Sequence, residues 1–347
     1  MTKNKLLFLR DFLLLIATLV ILALAIIALV SGDSRPNQES YSYIIGLSIP
    51  AIILFSILLA IYWSFRKSYI VLIPLIALAI NYNSILNNIQ FRFNNKEYSK
   101  LTSKTIRIAS FNIHEFIYEN DITSLSKLIE FLDINKIDVV CFQEFNSPGF
   151  LNASELNSSF STLPFSYIKK AEANSIGMAI FSRYPIVNSG ILDFENSGNG
   201  VLWSDIQIED NKVVRVINNH LQTTNLSRDR DAKLLKKIDY LKINSIIRAG
   251  QAEHIRALID STKGPLIVCG DFNDTPLSYT YSTIKGNNLI DGFREAGSGL
   301  GGTYRGMGGM FRIDYILHSK EFRSVKYSNP KIKISDHKPV VSELEFI

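Results

Sequence analysis

The sequence predicts an α/β protein in which two β-sheets pack face to face with helices outside them, preceded by two to three transmembrane helices. Apolar residues are concentrated in about the first 90 positions. Beyond residue 104, apolar runs of strand length outnumber runs with helical spacing, and many of these strands are neighbours joined by tight turns. This pattern differs from the regular alternation of strand and helix that predicts a single parallel sheet.

The composition limits the class of protein. The chain has 347 residues, which suggests two structural units, and its formal net charge is +5. This charge suits an anionic partner but is too small to establish nucleic-acid binding. Cys141 and Cys269 both lie inside apolar, strand-like runs. We therefore expect them to be buried hydrophobic side chains, not a disulfide or a zinc site.

The long apolar runs in residues 1–92 predict a membrane anchor, with helices over about residues 12–30, 43–65 and 69–89. Phe12–Val30 is interrupted only by Thr18 and would span about 28 Å as a helix, close to the hydrocarbon thickness of a bilayer. This run is long for a cleaved signal peptide. The second run is uncharged with aromatic ends, and the third is apolar at first and then rich in asparagine. We expect residues 93–103 to form a linker to a second, strand-rich domain over residues 104–347.

The charges that flank these runs indicate an orientation. Lys3, Lys5 and Arg10 place the N-terminus in the cytoplasm, and Arg66 with Lys67 place the second loop there. If the third run crosses the membrane, the remainder is extracytoplasmic, and if it lies in the interface the remainder is cytoplasmic. The length of the run favours three crossings. Basic residues that follow it argue mildly against them: Arg92, Lys96, Lys100 and Lys104.

The second part of the chain reads mainly as strands. The predicted strands are Ile106–Phe111, Asp138–Glu144, Tyr167–Lys170, Ser175–Ser182, Ile186–Leu192, Val201–Ile208, Lys212–Leu221, Leu266–Cys269, Phe311–Leu317 and Val340–Phe346. Leu125–Asn135 and Asn225–Leu258 have helical spacing. In the second helix, Lys233, Lys236 and Lys237 read as a solvated face, with a groove for polyanions as the alternative. Gly297–Gly309 reads as a glycine-rich loop.

The stretch LIVCGDFNDTP, Leu266–Pro276, combines an apolar strand with a glycine and a group of short polar side chains. Asp271 and Asn273 point to the same side if the chain stays extended there. A carboxylate beside an amide can accept a proton from water and donate to a phosphoryl oxygen. The alternative is an Asx-turn that closes the strand and has no catalytic role.

Polar groups stand at the ends of six predicted strands: Asn112, Glu144, His220, Asp271 with Asn273, Asp314, and Asp336 with His337. Each alone is more often a cap or a satisfied polar group. Together, the oxygen donors suit Mg²⁺, with Mn²⁺ as a second possibility, and the lack of clustered His and Cys argues against zinc. Histidines can bind a phosphate and move a proton near neutral pH. The set therefore indicates metal-assisted phosphoester hydrolysis.

Seven motifs in this order resemble the endonuclease/exonuclease/phosphatase family, which has the deoxyribonuclease I-like fold. They are SFN at 110–112, QE at 143–144, SRYP at 182–185, NNHL at 218–221, GDFND at 270–274, RIDYIL at 312–317 and SDH at 335–337. The resemblance covers about residues 104–347. It implies a four-layer α/β sandwich and a Mg²⁺-dependent phosphoesterase.

The resemblance also implies a role for each matching position. Glu144 would bind the metal ion, with Asn112 and Asp336 nearby. Asp271 would orient or deprotonate the attacking water, and Asn273 would bind the phosphate.

The remaining motif residues concern the phosphate and the leaving group. His337 would contact the scissile phosphate and be oriented by Asp314. His220 matches a histidine of the deoxyribonuclease and sphingomyelinase branches that can protonate the leaving group, but the sequence identifies no carboxylate partner for it. Asn218 and Arg183 are candidate substrate contacts. His114 and Glu115 read as local loop residues.

Three hypotheses follow. The first is a membrane-anchored phosphodiesterase of the nuclease type, and the second keeps the fold but takes a lipid head group or another small phosphoester. The third is a catalytically silent binding module on a membrane tether, which the complete motif set disfavours. The expected partners are the phosphoester substrate and the bilayer, with no obligate protein partner evident. Specificity would lie in loops over 146–160, 225–241 and 297–309.

Overall fold

The computed structural model describes residues 3–39, 41–92, 104–116, 121–146, 156, 158–172, 175–195, 197–224 and 233–347. The chain folds into two compact units. The first unit comprises Met1–Asn87, Asn225–Ala249 and Thr275–Ser282, and the second comprises Asn88–Thr224, Gly250–Asp274 and Thr283–Ile347. The predicted linker over 93–103 and parts of the loops over 146–160 and 225–241 lie outside the described residues.

The first unit contains the apolar N-terminal helices. They are α1 (Lys3–Ser31), α2 (Ser42–Phe65), a 3₁₀ turn (Tyr69–Val71), α3 (Leu72–Ile80) and α4 (Tyr82–Asn88). Within the described residues, α1 and α2 are long and apolar enough to cross a membrane, and the third predicted run is a pair of helices bent by 59°. Asn81 lies at the bend, where its side-chain amide donates to the carbonyls of Ala25 and Ala77. A polar side chain inserted at this point accounts for the break.

Two later segments complete the first unit. One is the first half of α6 (Leu234–Ser261), and the other is the segment Thr275–Ser282, which enters α7 (Tyr279–Lys285). Leu277 packs against a cluster that includes Ala28, Ile49 and Ile53 of α1 and α2. The later segments therefore pack on the same helices that the sequence assigns to the membrane.

The second unit contains two six-stranded mixed sheets. The strands are β2 (Thr105–Asn112), β3 (Val139–Gln143), β4 (Phe165–Lys169), β5 (Met178–Ser182), β6 (Ile186–Asp193), β7 (Gly200–Glu209), β8 (Lys212–His220), β9 (Leu266–Asp271), β10 (Ile290–Asp291), β12 (Asp314–His318), β13 (Phe322–Ser328) and β14 (Val340–Phe346). The first sheet has the order β13-β14-β2-β3-β5-β4, and the second has β10-β12-β9-β8-β7-β6. A short pair, β1 (Ile89–Gln90) with β11 (Gly299–Leu300), lies apart. The predicted pair of mixed sheets is confirmed.

The core follows from the two-residue period of the strands. Ile108 and Cys141 of the first sheet share a buried cluster with Val216 and Cys269 of the second, so this cluster lies between the sheets. The alternate residues of the first sheet, including Phe111, pack with α5 (Asp121–Ile134) on the outer face. Both cysteines are free and buried, as the sequence predicts. The last helix is α8 (Gly292–Ala296).

The strand pairing brings several strand ends to one edge. β2 and β3 are parallel, with Asn112 opposite Gln143, and β8 and β9 are parallel, with His220 opposite Asp271. β12 runs antiparallel to β9, so its first residue, Asp314, lies opposite Asp271. The polar groups that follow these strands therefore meet where the two sheets come together.

Candidate active site

Asn112 connects the two sheets at this edge. Its amide nitrogen donates to Glu144 Oε1 at 2.9 Å and to Asp271 Oδ2 at 3.0 Å, while its amide oxygen accepts from the backbone N–H of His114 at 3.0 Å. The side chain is buried. In this geometry Asn112 positions the two carboxylates with its nitrogen, and its oxygen is turned away from them.

Glu144 follows β3 with a left-handed backbone, φ 52°. Burial raises the pKa of its carboxyl, but the hydrogen bond and charge of His220 and the hydrogen bond of Asn112 outweigh burial and lower this pKa to about 2. Glu144 is therefore an anion at neutral pH, which is the state required of a ligand to a hard divalent cation.

Gly270 and the residues after it form a tight turn at the end of β9. Gly270 has φ +135°, and a Cβ there would lie 2.1 Å from the carbonyl oxygen of Asn219, so no other residue fits without a shift of the backbone. Asn273 has φ 52°, and its backbone N–H donates to Asp271 Oδ1 at 2.8 Å. This is an Asx-turn, the alternative to an extended chain at this position.

The turn also brings the two side chains together. The Asn273 amide nitrogen lies 3.2 Å from Asp271 Oδ2 and 3.0 Å from the carbonyl oxygen of Leu221. The chain is not extended here, so the two side chains lie close together because of the turn and not because alternate residues of a strand face the same side. Burial and the charge of Asp314 raise the pKa of Asp271 to about 6. Asp271 is thus a carboxylate whose proton affinity is matched to general-base chemistry.

His337 and Asp314 form a buried pair beside Asp271. His337 Nδ1 lies 3.0 Å from Asp314 Oδ2, and its Nε2 lies 3.8 Å from Asp271 Oδ2. Burial lowers the pKa of His337, but the charges of Asp314 and Asp271 outweigh burial and raise it to about 10. The imidazole is therefore a cation at neutral pH. Candidate ligand atoms of these three residues all lie within 4.8 Å of one another, so this group could hold a metal ion only if the His337 ring gave up a proton.

His220 has carboxylate partners that the sequence did not identify. Its Nε2 lies 3.4 Å from Glu144 Oε1 and 3.8 Å from Asp271 Oδ2, and its Nδ1 is 3.4 Å from the side-chain amide of Asn199. Burial lowers the pKa of His220, but Glu144 and Asp271 raise it further than burial lowers it. His220 can therefore carry the proton that a leaving group needs.

His114 joins the site although the sequence reading treated it as a local loop residue. Its Nδ1 lies 3.3 Å from Asp336 Oδ1 and 3.6 Å from Glu144 Oε2. The loop is held to Glu144 itself, because the N–H of Glu115 donates to the Glu144 carbonyl at 3.0 Å. The only signal in the sequence is its position two residues after Asn112.

The glycine-rich loop contributes Thr303 and Tyr304. Thr303 Oγ1 accepts from the N–H of Asp314 at 3.1 Å, and the Tyr304 ring lies 5.3 Å from the His337 ring between centroids. Ser335 Oγ donates to the Asn112 carbonyl at 2.7 Å and accepts from the His337 N–H at 3.0 Å. These residues fix the position of the His337–Asp314 pair.

One predicted substrate contact, Arg183, lies outside this group. Arg183 follows β5, next to Ser182, which pairs with Val139 at the start of β3, so it stands at the opposite end of β3 from Glu144. There its guanidinium pairs with Asp138 at 3.4 Å. The strand direction therefore places Arg183 away from the cluster.

Asn218 is close to the cluster, but its side chain is hydrogen-bonded to other residues. Its oxygen accepts from Gln143 at 2.6 Å, and its nitrogen donates to the carbonyls of Phe142 and Ala179 at 2.9 and 3.2 Å. The side chain is fully buried. Asn218 ties the second sheet to the first and has no polar atom free to reach a substrate.

The donor set fits a divalent cation. Glu144 is anionic and Asp336 is a partly exposed carboxylate, and the imidazole of His114 lies within 3.6 Å of both. Two carboxylates with an imidazole nitrogen beside them are donors that a divalent metal ion can bind. The Asp271, Asp314 and His337 group offers a second set of donors.

Comparison with known proteins agrees with the fold. The model of the endonuclease/exonuclease/phosphatase family matches residues 109–337, and the chain belongs to that family, whose members are generally phosphoesterases and typically use divalent metal ions. Residues 10–88 match a separate domain of unknown function (DUF8431). No curated protein matches the chain.

Solved structures with the same fold come from distant organisms. An endonuclease/exonuclease/phosphatase from Bacteroides vulgatus is 18% identical, with TM-score 0.53 over 70% of this chain and 100% of that one. The human Nocturnin catalytic domain with bound sulfate is 18% identical, with TM-score 0.53 over 70% and 95%. TDP2 from C. elegans is 16% identical, with TM-score 0.53 over 72% and 78%. At these identities the likeness concerns the fold.

Proposed function

We propose that this protein is a membrane-anchored phosphoesterase that depends on a divalent metal ion, with Mg²⁺ as the expected ion and Mn²⁺ as the alternative. The observation that carries the proposal is the buried His337–Asp314 pair, whose cationic imidazole lies 3.8 Å from Asp271 and within one cluster with Glu144. A positive group next to a general-base carboxylate is what attack of water on a phosphate requires.

Each residue then has a part in the reaction. Asp271 orients the attacking water and takes its proton, and Asn273 holds the turn that fixes Asp271. The His337 cation binds a phosphoryl oxygen, and His220 gives a proton to the leaving oxygen. A metal ion held by Glu144 and Asp336 supplies, when bound, polarisation of the phosphoryl group.

The ends of the helices in the first unit support an orientation in the membrane. Asp11, near the start of α1, accepts hydrogen bonds from Tyr62 and Arg66 near the end of α2, so one end of the helices carries the basic flanks. By the positive-inside rule this end is cytoplasmic. The opposite end therefore lies on the extracytoplasmic side.

Later parts of the chain belong to that opposite end. Ser31 Oγ at the end of α1 donates to the carbonyl of Leu277 at 3.3 Å, and Asn87 at the end of α4 donates to the carbonyl of Pro276 at 3.2 Å. Within the described residues, no helix after Asn88 is long and apolar enough to cross. We therefore place the catalytic domain outside the cytoplasm, with the bent pair α3–α4 as the third crossing.

The same segment bears on the substrate class. Thr275 follows the motif that contains Asp271 and Asn273 directly in the chain, and Thr275–Ser282 packs among the apolar helices of the first unit. A catalytic loop that continues into the membrane unit favours a substrate in the bilayer, because tethering raises the effective concentration of such a substrate. We therefore favour a lipid-borne phosphoester over nucleic acid, which the sequence analysis placed first.

The test uses full-length protein in detergent and in vesicles, with Mg²⁺ or with EDTA. The substrates are plasmid DNA, oligonucleotides, sphingomyelin, a phospholipid, a polyprenyl or other lipid phosphate, inositol phosphates and nitrophenyl phosphoesters. We expect Mg²⁺-dependent release of phosphate or a head group from a lipid. Plasmid nicking without lipid turnover would support the nuclease alternative, and no metal-dependent turnover of any phosphoester would contradict the proposal.

His337→Ala and His254→Ala form a matched pair for this assay. His337 lies in the cluster, whereas His254 stacks on Phe194 outside it. His337→Ala should lower the rate by on the order of 10²-fold or more, since it removes the charge that faces the phosphate. His254→Ala should leave the rate within about twofold. Equal rates for the two variants would remove His337 from the mechanism.

The orientation has its own test. A reporter fused after Ile347 should be active only if it folds outside the cytoplasm, as alkaline phosphatase does, and a cytoplasm-dependent fluorescent reporter should stay dark. A fusion within the loop after Lys67 should give the opposite pair of results. Cytoplasmic signals from the C-terminal fusion would overturn the proposed orientation without affecting the catalytic proposal.

A further inference from the structure

The first half of α6 has an unusual distribution of polar and apolar residues. Leu235, Ile243 and Ile247 are 76%, 51% and 39% exposed. Their spacing in multiples of four places them on one stripe of the helix. The stripe therefore presents large apolar side chains outward.

The opposite face is polar and buried. Asn244 is 5% exposed, and Ser245 and Arg248 are each 1% exposed. A helix on the surface of a soluble protein normally shows the reverse pattern, with its apolar stripe inward and its charges outward. The inverted pattern indicates that the outward stripe meets an apolar medium and not water.

The position of this half-helix identifies the medium. It belongs to the first unit, with the apolar helices α1 and α2. The Tyr43 hydroxyl at the start of α2 donates to the carbonyl of Ile238 at 3.4 Å, and Lys242 Nζ lies 5.1 Å from the centre of the Tyr41 ring. Tyrosines at the end of an apolar helix mark the level of the lipid head groups.

The charges on the half-helix limit how deeply it can lie in the bilayer. Asp239 is on the same stripe, between Leu235 and Ile243, and is exposed. A carboxylate at that point excludes burial in the hydrocarbon core. Lys233 and Lys236 are exposed at the start of the helix. Basic residues next to an apolar stripe suit anionic head groups.

We propose that the stripe formed by Leu235, Ile243 and Ile247 lies in the outer interfacial layer of the bilayer, so that α6 is a second, peripheral membrane contact of this protein. The partner is a phospholipid surface, continuous with the lipid-exposed sides of α1 and α2. The inference rests on the membrane anchor of the proposed function and not on its chemistry. It adds an interfacial contact contributed by the catalytic part of the sequence.

The test places a polarity-sensitive fluorophore on single cysteines in the full-length protein in vesicles. Cys141 and Cys269 are buried, so they leave the introduced cysteine as the labelled one. Ile243→Cys carries the test label. Leu58→Cys on the exposed side of α2 is the lipid control, and Lys263→Cys, exposed beyond the end of α6, is the aqueous control.

We expect the Ile243→Cys label to lose about half of its fluorescence with lipid that carries a spin label near the head group, and less with a spin label near the chain end. Iodide in the water should quench it far less than it quenches the Lys263→Cys label. The Leu58→Cys label should prefer the deeper spin label.

Two results would overturn the inference. One is iodide quenching of the Ile243→Cys label equal to that of the Lys263→Cys label, which would mean that the stripe faces water. The other is protection from both iodide and spin-labelled lipid, which would mean that a protein surface covers it. Leu235→Cys provides a second site on the same stripe, so a failure of one variant to fold leaves the inference testable. Failure of the Leu58→Cys control would instead reject the membrane anchor.

Discussion

Replacement of Asp314 by Asn gives the sharpest test of the proposed site. The carboxylate accepts from His337 Nδ1 at 3.0 Å, and its charge is the largest influence that raises the pKa of His337. An amide oxygen can still accept this hydrogen bond, so the ring keeps its position while the negative charge is lost. The variant therefore separates the charge of Asp314 from its role in orienting the ring.

The magnitude follows from the pKa of His337. A value of about 10, against 6.5 for an unperturbed imidazole, corresponds to about 5 kcal/mol at 1.36 kcal/mol per pKa unit. Loss of the Asp314 charge should lower the pKa of His337, because that charge is the largest influence that raises it, so fewer of the rings are cationic at pH 8 than in the wild type. The rate at pH 8 should fall by on the order of 10²-fold. Part of this loss comes from the smaller fraction of protonated His337, and part comes from weaker stabilisation of charge in the transition state.

The assay compares full-length wild type and Asp314→Asn on a nitrophenyl phosphodiester in Mg²⁺ from pH 6 to pH 10. The ratio of variant to wild-type rate should rise as the pH falls from 8 to 6, because the imidazole regains its proton in this range only in the variant. Asp205→Asn, which loses a pair with Arg215 on another strand, should show a flat ratio. A flat ratio for Asp314→Asn would refute the argument that Asp314 keeps His337 charged.

Three further variants test the metal donors and the turn. Glu144→Gln should abolish Mg²⁺-dependent hydrolysis and weaken Mg²⁺ binding measured by calorimetry, and an unchanged affinity would remove Glu144 from the metal site. His114→Ala should weaken Mn²⁺ binding by about tenfold and Mg²⁺ binding by less, because imidazole suits Mn²⁺ better than Mg²⁺; equal losses would assign His114 no contact with the ion. Gly270→Ala should lower the free energy of unfolding by about 3 kcal/mol or more, measured by thermal unfolding in detergent, because its Cβ would meet the Asn219 carbonyl. Gly250→Ala, where nothing lies within 4 Å, should be neutral or stabilising.

The sequence predicted the fold and much of the cluster because the end of a strand can be recognised from a few neighbouring residues. An apolar run that stops at a polar residue identifies both the strand and the side chain at its edge, as at Asn112 and Asp271. The antiparallel entry of β12 then explains why Asp314, at the start of its strand, reaches the same edge as Asp271 at the end of β9. For these positions, the alternation of side chains along each strand and the direction of the strand are enough to predict which side chains meet.

Loop geometry was beyond the reach of the sequence for other residues. His114 reaches Asp336 and Glu144 because His114, Glu115 and Phe116 have φ of 50°, 51° and 61°, a conformation that no residue type in this loop signals. Arg183 shows the reverse case, since a motif position suggested a substrate contact and the direction of β5 carries it to the opposite end of β3. Motif order constrains the family, but chain direction decides which side chains meet.

The helix α6 shows why the membrane contact could not be read from periodicity. The spacing of Leu235, Ile243 and Ile247 indicates that they share a face, but not whether that face meets the core, water or lipid. The usual assumption places the lysines outward in water and the apolar residues inward. Lys233 and Lys236 are indeed exposed, but the apolar stripe is exposed as well, while Arg248 and Ser245 are buried. This is the pattern expected of a helix with two solvents available, in a unit whose other helices are apolar enough to cross a membrane. The same reasoning applies to Asn81, whose polar side chain is buried in a bend between two apolar helices. In a chain with helices apolar enough to cross a membrane, polarity indicates the medium only after the structure has established which face of a helix is covered.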